Sequence, residues 1–158
     1  MEFAAPKSLW IKIITALLAL GFVALAAAIF MVDQDPAAIV IPIAMLLLVF
    51  GLSYYYSIAK YEVLPDKIIV HRPFDNIVIP TSNLTATRLE KKDIRMSIRT
   101  FGIGGVFSYT GTFWNGKLGS MTWYVTKMDN AVLLMDSRGN KTVVSPDMPA
   151  QFIAALQT

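Results

Sequence analysis

Two long apolar runs open the chain, and short alternating runs fill the rest. Residues 13–32 hold 18 apolar positions in 20 and residues 37–59 hold 19 in 23, neither with a charge. A helix rises about 1.5 Å per residue, so about 20 such residues cross a hydrocarbon core of roughly 30 Å. Both runs therefore predict membrane-spanning helices. Only Asp33, Gln34, Asp35 and Pro36 separate them, which forces an antiparallel hairpin. Asp35 is placed to cap the second helix, with Pro36 at its first position, where a missing N–H costs nothing. Pro42 predicts a bend, and Gly21, Ala24 and Ala28 predict a small-residue seam between the helices.

From residue 61 the period changes to two. Residues 61–64, 67–72, 77–79 and 84–90 are short runs with β-type character, parted by Pro65-Asp66, Asp75-Asn76 and Pro80. Residues 94–99 alternate, with Ile94, Met96 and Ile98 on one face and Arg95, Ser97 and Arg99 on the other, the pattern of a half-buried strand. Residues 121–126, 131–136 and 141–145 predict three more strands. Ser145 reads as a helix N-cap, with Pro146 at the first helical position and Phe152, Ile153 and Leu156 as the apolar stripe of a terminal helix. The chain thus divides into a hairpin over 1–60 and a mainly β domain over 61–158. Six or seven antiparallel strands plugged by one helix predict a small barrel or sandwich.

Composition sharpens this division. The chain of 158 residues is 55% apolar, but 60–158 alone hold 43 apolar residues in 99, an ordinary fraction for a folded domain. Lys7 and Lys12 precede the first span, Lys60 and Lys67 follow the second, and the link between the spans carries only aspartates. Cations stay on the cytoplasmic side, so both termini and the domain are expected there, at the inner membrane. Trp10, Tyr54, Tyr55 and Tyr56 are then the interfacial anchors. The rival reading is a cleaved signal peptide ending near Ala24–Ala28. Its apolar run would be 20 residues rather than about 7–15, and a second span follows at once. With no cysteine, disulfides and thiolate metal sites are excluded.

The run Arg99-Thr100-Phe101-Gly102-Ile103-Gly104-Gly105-Val106-Phe107-Ser108-Tyr109-Thr110-Gly111 resembles the signature of bacterial pleckstrin-homology-like (PH) domain proteins. Phe113-Trp114-Asn115-Gly116-Lys117-Leu118-Gly119 and Val144-Ser145-Pro146-Asp147, leading to Phe152 and Leu156, extend the likeness; Met148 stands where an acidic residue is more usual. The resemblance implies a PH-like fold, a bent seven-stranded antiparallel barrel closed by a C-terminal helix. It implies no ligand residues, and fold alone does not give function.

Chemistry is sparse. Gly111–Leu118 falls one residue short of a phosphate-binding loop, with Leu118 where the Mg²⁺-holding hydroxyl belongs, and Gly102, Gly104 and Gly105 do not complete a dinucleotide fingerprint. These glycines instead suit a kinked or bulged strand. His71 is the single histidine, on a strand with no carboxylate pattern beside it, so neither a histidine metal site nor a triad is expected, and no cofactor. Asp66, Asp75 and Asp129 read as turn residues.

Residues 60–158 carry a net charge of +4, from 12 Lys and Arg against 8 Asp and Glu. Arg88, Lys91, Lys92, Arg95 and Arg99 cluster within it, with Glu90 and Asp93 interspersed. They form either a contact for anionic headgroups, worth about 1 kcal/mol per basic residue, or an ordinary solvated face. Trp114 and Lys117 join them as a candidate lipid or partner surface, while Trp123 reads as core. The expected partners are the bilayer and other proteins, including further copies of the chain; nucleic acid is not expected. A non-enzymatic membrane protein presenting an interaction or scaffolding domain is the leading reading. Lipid recognition by the basic cluster is the alternative, and an intramembrane enzyme lacks the ionisable groups its spans would need.

Overall fold

In the computed structural model, which describes residues 1–32 and 36–157, the apolar runs form α1 (Leu9–Val32) and α2 (Pro36–Tyr55), packed along one another. Asp35, with its expected capping role, lies outside the described residues. α1 is long and apolar enough to cross a membrane; the apolar stretch Ile39–Tyr55 of α2 is shorter. The inward faces repeat every three or four residues. Thr15, Ala19, Phe22, Ala26 and Ile29 are half-buried on α1, and Pro42, Leu46, Val49 and Ser53 are covered on α2. This is the spacing of paired helices. Gly21, Ala24 and Ala28, the expected seam, are exposed, and a Cβ on Gly21 would meet nothing. The covered stripe lies one or two residues away, at Phe22, Ala26 and Ile29.

Among the described residues, ten strands form two sheets. Antiparallel β1 (Glu2–Ala4), β2 (Lys60–Val63), β3 (Lys67–His71) and β4 (Asn76–Pro80) make the first in that order. The second runs β5-β9-β10-β8-β7-β6, built from β5 (Thr85–Arg88), β6 (Ile98–Gly104), β7 (Tyr109–Asn115), β8 (Gly119–Val125), β9 (Val132–Met135) and β10 (Lys141–Val144). The sheets do not close into the expected seven-stranded barrel, and β10 pairs β8 in parallel rather than antiparallel.

Period-two burial builds two cores. Phe3, Ile58, Tyr61, Ile68, Val70 and Phe152 anchor the one under the first sheet. Phe113, stacked on Trp123 at 4.1 Å, anchors the other with Met121, Val125 and Val143. Trp123 is core, as expected.

Three local expectations change. Lys91–Ile94 forms a helical turn, α3, whose Asp93 carboxylate accepts the Glu90 backbone N–H at 3.1 Å. Of the predicted apolar face only Ile94 is buried, while Met96 and Ile98 are exposed. The strand predicted at 121–126 begins earlier, at Gly119, as the second arm of the β7–β8 hairpin, which is turned by the Asn115 side chain accepting the Lys117 backbone N–H at 2.9 Å. The terminal helix α4 (Pro149–Ala155) starts three residues late, with Pro149 rather than Pro146 in its first turn.

Ser145 is claimed by a tertiary network instead. Its Oγ accepts the Thr126 backbone N–H at 2.7 Å and lies 3.3 Å from the Tyr61 hydroxyl, which donates to the Tyr124 carbonyl at 2.7 Å. Burial pushes the Tyr61 hydroxyl up to about 12, against the opposing pull of its bonds to Ser145 and Thr126. Folding therefore favours the neutral phenol. Its contribution is complete below about pH 10 and falls away between about 10 and 12, by about 1.4 kcal/mol per pH unit. Melting temperature followed from pH 9 to 12 should drop more steeply for the parent chain than for Tyr61→Phe; equal slopes would contradict this assignment.

Candidate functional site

The hairpin is a long insertion between two neighbouring strands. β1 precedes α1, β2 follows α2, and the two pair with Glu2 opposite Glu62, Phe3 opposite Tyr61 and Ala4 opposite Lys60. Residues 2–4, which periodicity left with the hairpin, thus belong to the domain's first sheet. Phe3 is buried edge-on to Phe152 of α4 at 5.2 Å. Both outer ends of the hairpin are consequently held at the same face of the domain. The Ser8 backbone N–H donates to the Thr126 carbonyl at 3.2 Å, tightening the α1 side.

On the α2 side the last helical carbonyls lack intrahelical donors. The Tyr56 carbonyl is met from the domain instead, accepting hydrogen bonds from the Ser108 and Thr110 hydroxyls, each at 3.2 Å. Aromatic rings gather around this joint. Phe107 meets Phe50 and Tyr54 edge-on at 6.1 Å, Phe74 stacks on Tyr55 at 5.5 Å, and the Lys7 ammonium sits 5.1 Å above Phe107. Tyr54, Tyr55 and Tyr56 thus pack as one aromatic belt with two domain residues, Phe74 and Phe107. Trp10 stands exposed in the first turn of α1.

Behind the belt, Arg72 follows β3. Its side chain is 6% exposed, lying 5.5 Å from the Tyr56 ring and 5.3 Å from the Tyr124 ring. Nη1 reaches Asp75 at 3.5 Å, while Nε is buried without a hydrogen-bond partner among the described residues. Arg72 borders a cavity of about 450 Å³ whose other walls include Leu52, Tyr56, Phe101, Thr110 and Tyr124. Gly102 and Gly111, opposite one another in the β6–β7 pair, complete it. Tyr124 has its hydroxyl pKa raised mainly by burial, with Arg72 pulling the other way.

The predicted basic cluster is only partly free. Lys91 pairs with Asp129 at 3.0 Å and Lys92 with Glu90 at 2.6 Å, the latter pairing raising the Lys92 pKa. Arg99 donates to the Gly104 carbonyl at 3.4 Å. Arg88 and Arg95 are exposed with no ion pair among the described residues. Trp114 is exposed opposite Ile98, and Lys117 lies exposed in the β7–β8 turn. The structure thus brings Trp114 to the β6 edge but does not gather all five cations into one unneutralised patch.

His71 does have a carboxylate beside it. Its Nε2 lies 2.8 Å from Glu62 Oε2 across β2 and β3, a diagonal cross-strand pair that one strand alone could not reveal. No cluster of three or more metal-ligating side chains occurs among the described residues.

Sequence reasoning missed Arg72. Arg72 reads locally as the end of the β-type run 67–72, and only the approach of Tyr56, just after α2, and of Tyr124 on β8 buries the guanidinium. A family model described as Bacterial PH domain matches residues 59–158. No curated protein and no solved structure matches the chain. The family match begins after α2, so β1 and the hairpin lie outside it.

Proposed function

We infer that this chain, which belongs to the bacterial PH domain family, is a multi-pass inner-membrane protein that holds its PH-like domain against the cytoplasmic surface as a non-enzymatic interaction or scaffolding module. The observation that carries this reading is the pairing of β1 with β2 across the whole hairpin. It leaves no free linker, so the domain has a set orientation at the foot of α1 and α2. The apolar surface of α1, from Leu17 and Leu20 to Met31 and Val32, is left exposed by the described residues and suits a hydrocarbon solvent. Cations on the outer flanks and aspartates in the link supply the orientation. A rigidly oriented domain suits assembly with other membrane proteins or further copies of this chain.

Labelling of single cysteines introduced into the cysteine-free chain tests it. Positions 117 and 138 should label only after the inner membrane is opened, and a position within 33–35 should label from the periplasmic side. Labelling of 117 or 138 in intact spheroplasts would overturn the orientation, and purification from native membranes with no protein companion and no self-association would overturn the scaffolding role. The second reading, headgroup contact by the 88–99 cluster, draws support from Arg88 and Arg95, which have no ion pair among the described residues, but Asp129 and Glu90 offset Lys91 and Lys92.

A further inference from the structure

The strongest unexplained charge in the domain is Arg72. A buried guanidinium has five N–H donors to satisfy, and leaving one unmet is costly. Asp75 supplies one contact at 3.5 Å, and its own side chain is 44% exposed. The Tyr56 and Tyr124 rings stabilise the cation through their faces, yet ring faces accept no strong in-plane hydrogen bond. Nε therefore stays unpartnered among the described residues, on a side chain bordering a 450 Å³ cavity in which the named walls carry no carboxylate. A planar fork with donors to spare matches the oxygens of a phosphate.

The remaining walls indicate where that phosphate comes from. Leu52 belongs to α2, one turn before its end, so one side of the cavity is the apolar helix itself. Phe101 forms another wall and is 80% exposed among the described residues. A free phosphate ion gains nothing from either side chain, whereas a lipid gains from both. The glycine pair keeps the β6–β7 wall free of side chains at Gly102 and Gly111.

We propose that the cavity at the foot of the hairpin binds the phosphate of an anionic phospholipid, with Arg72 holding the headgroup and Leu52 and Phe101 contacting the glycerol and upper acyl region. This site is separate from the 88–99 cluster, and it rests on the membrane-anchored reading above. It gives the domain a sensor for the lipid beside its own anchor.

The test uses the full chain in neutral detergent, titrated with phosphatidylglycerol, phosphatidylcholine or inorganic phosphate, with thermal stabilisation giving an apparent Kd. Phosphatidylglycerol should bind about tenfold more tightly than phosphatidylcholine, and Arg72→Lys, which loses the fork but keeps the charge, should erase about that factor. Leu52→Trp fills the cavity while leaving Arg72 in place and should also remove the selectivity, so it decides the matter if Arg72→Lys does not fold. Arg95→Ala with Arg99→Ala should leave it intact. Equal affinity for the two lipids, selectivity that survives in Leu52→Trp, or loss through Arg95 and Arg99 instead would each overturn the site. Stabilisation by inorganic phosphate alone would make it a free-anion site and overturn the lipid assignment. Alkaline carbonate extraction separates the two readings: release from membranes sinks the anchoring, while retention without lipid selectivity sinks this site alone.

Discussion

Gly111→Ala is expected to destabilise the domain by about 3–5 kcal/mol, the sum of a steric clash in a packed sheet and a backbone conformation that L side chains rarely adopt. Gly111 has φ +135° and faces Gly102, at φ +114°, in the β6–β7 pair. A Cβ on Gly111 would lie 2.2 Å from the Phe101 carbonyl oxygen and 2.7 Å from the Gly102 Cα. Both neighbours are backbone, so nothing flexible can move aside. The strands approach this closely because the register shifts between Arg99 and Phe101 just before the pair, and a bulge increases local twist. Gly21→Ala is the internal control, since its Cβ meets nothing. Thermal unfolding of the full chain in detergent should show a loss of roughly 10 °C for Gly111→Ala and little change for Gly21→Ala. A melting temperature within about 2 °C of the parent would show that the two glycines do not oppose one another.

Phe3→Ala should cost about 3–5 kcal/mol, the range for truncating a buried phenylalanine. Phe3 is 4% exposed, touches Phe152 and shares its core with Tyr61, Ile68 and Val70. Its loss has a second consequence that a core cavity elsewhere lacks. β1 is three residues long and sits at a sheet edge, so without that side chain little holds it to β2. The Val63 backbone N–H, which donates to the Met1 carbonyl at 2.7 Å, should then exchange with solvent faster in Phe3→Ala than in Phe152→Ala. Equal exchange in the two variants would mean that Phe3 does not hold the strand. The burial of Phe3 also bears on the signal-peptide alternative, because cleavage near Ala24–Ala28 would remove a core residue along with β1.

Local pattern carried most elements. The strands β2, β3 and β8 follow their alternation closely because one face of each is buried, and burial writes itself into a period of two. The failures have two causes. Ile94, Met96 and Ile98 alternate like a strand, yet the Asp93 cap and burial of Ile94 alone make a helical turn there. Ser145 has every local sign of an N-cap, but its hydroxyl accepts the Thr126 backbone N–H inside the core. β1 carries too few residues for any period. For Ser145 and β1 the deciding partner lies far along the chain, whereas at Lys91–Ile94 a bond between residues three apart overrides the alternation.

The candidate site divides in the same way. The tyrosines at 54–56 and the basic run at 88–99 were visible because they are contiguous. Arg72, Phe74 and Phe107 become a site only when the end of α2, the β3–β4 turn and the start of β7 converge.

What the amino-acid sequence determined by itself is the apolar length of the two runs, the sign of their flanks, the β periodicity of residues 61–145 and the glycine-aromatic signature. These depend on composition and near-neighbour spacing, which the solvent and the backbone read directly. Only the tertiary structure decided that residues 2–4 extend the sheet beneath the hairpin, that two of the five cations of the basic cluster pair with acids, and that one arginine is buried between two tyrosines. Those outcomes depend on which distant surfaces meet, and the burial of a charge or an edge strand has no energy until they do.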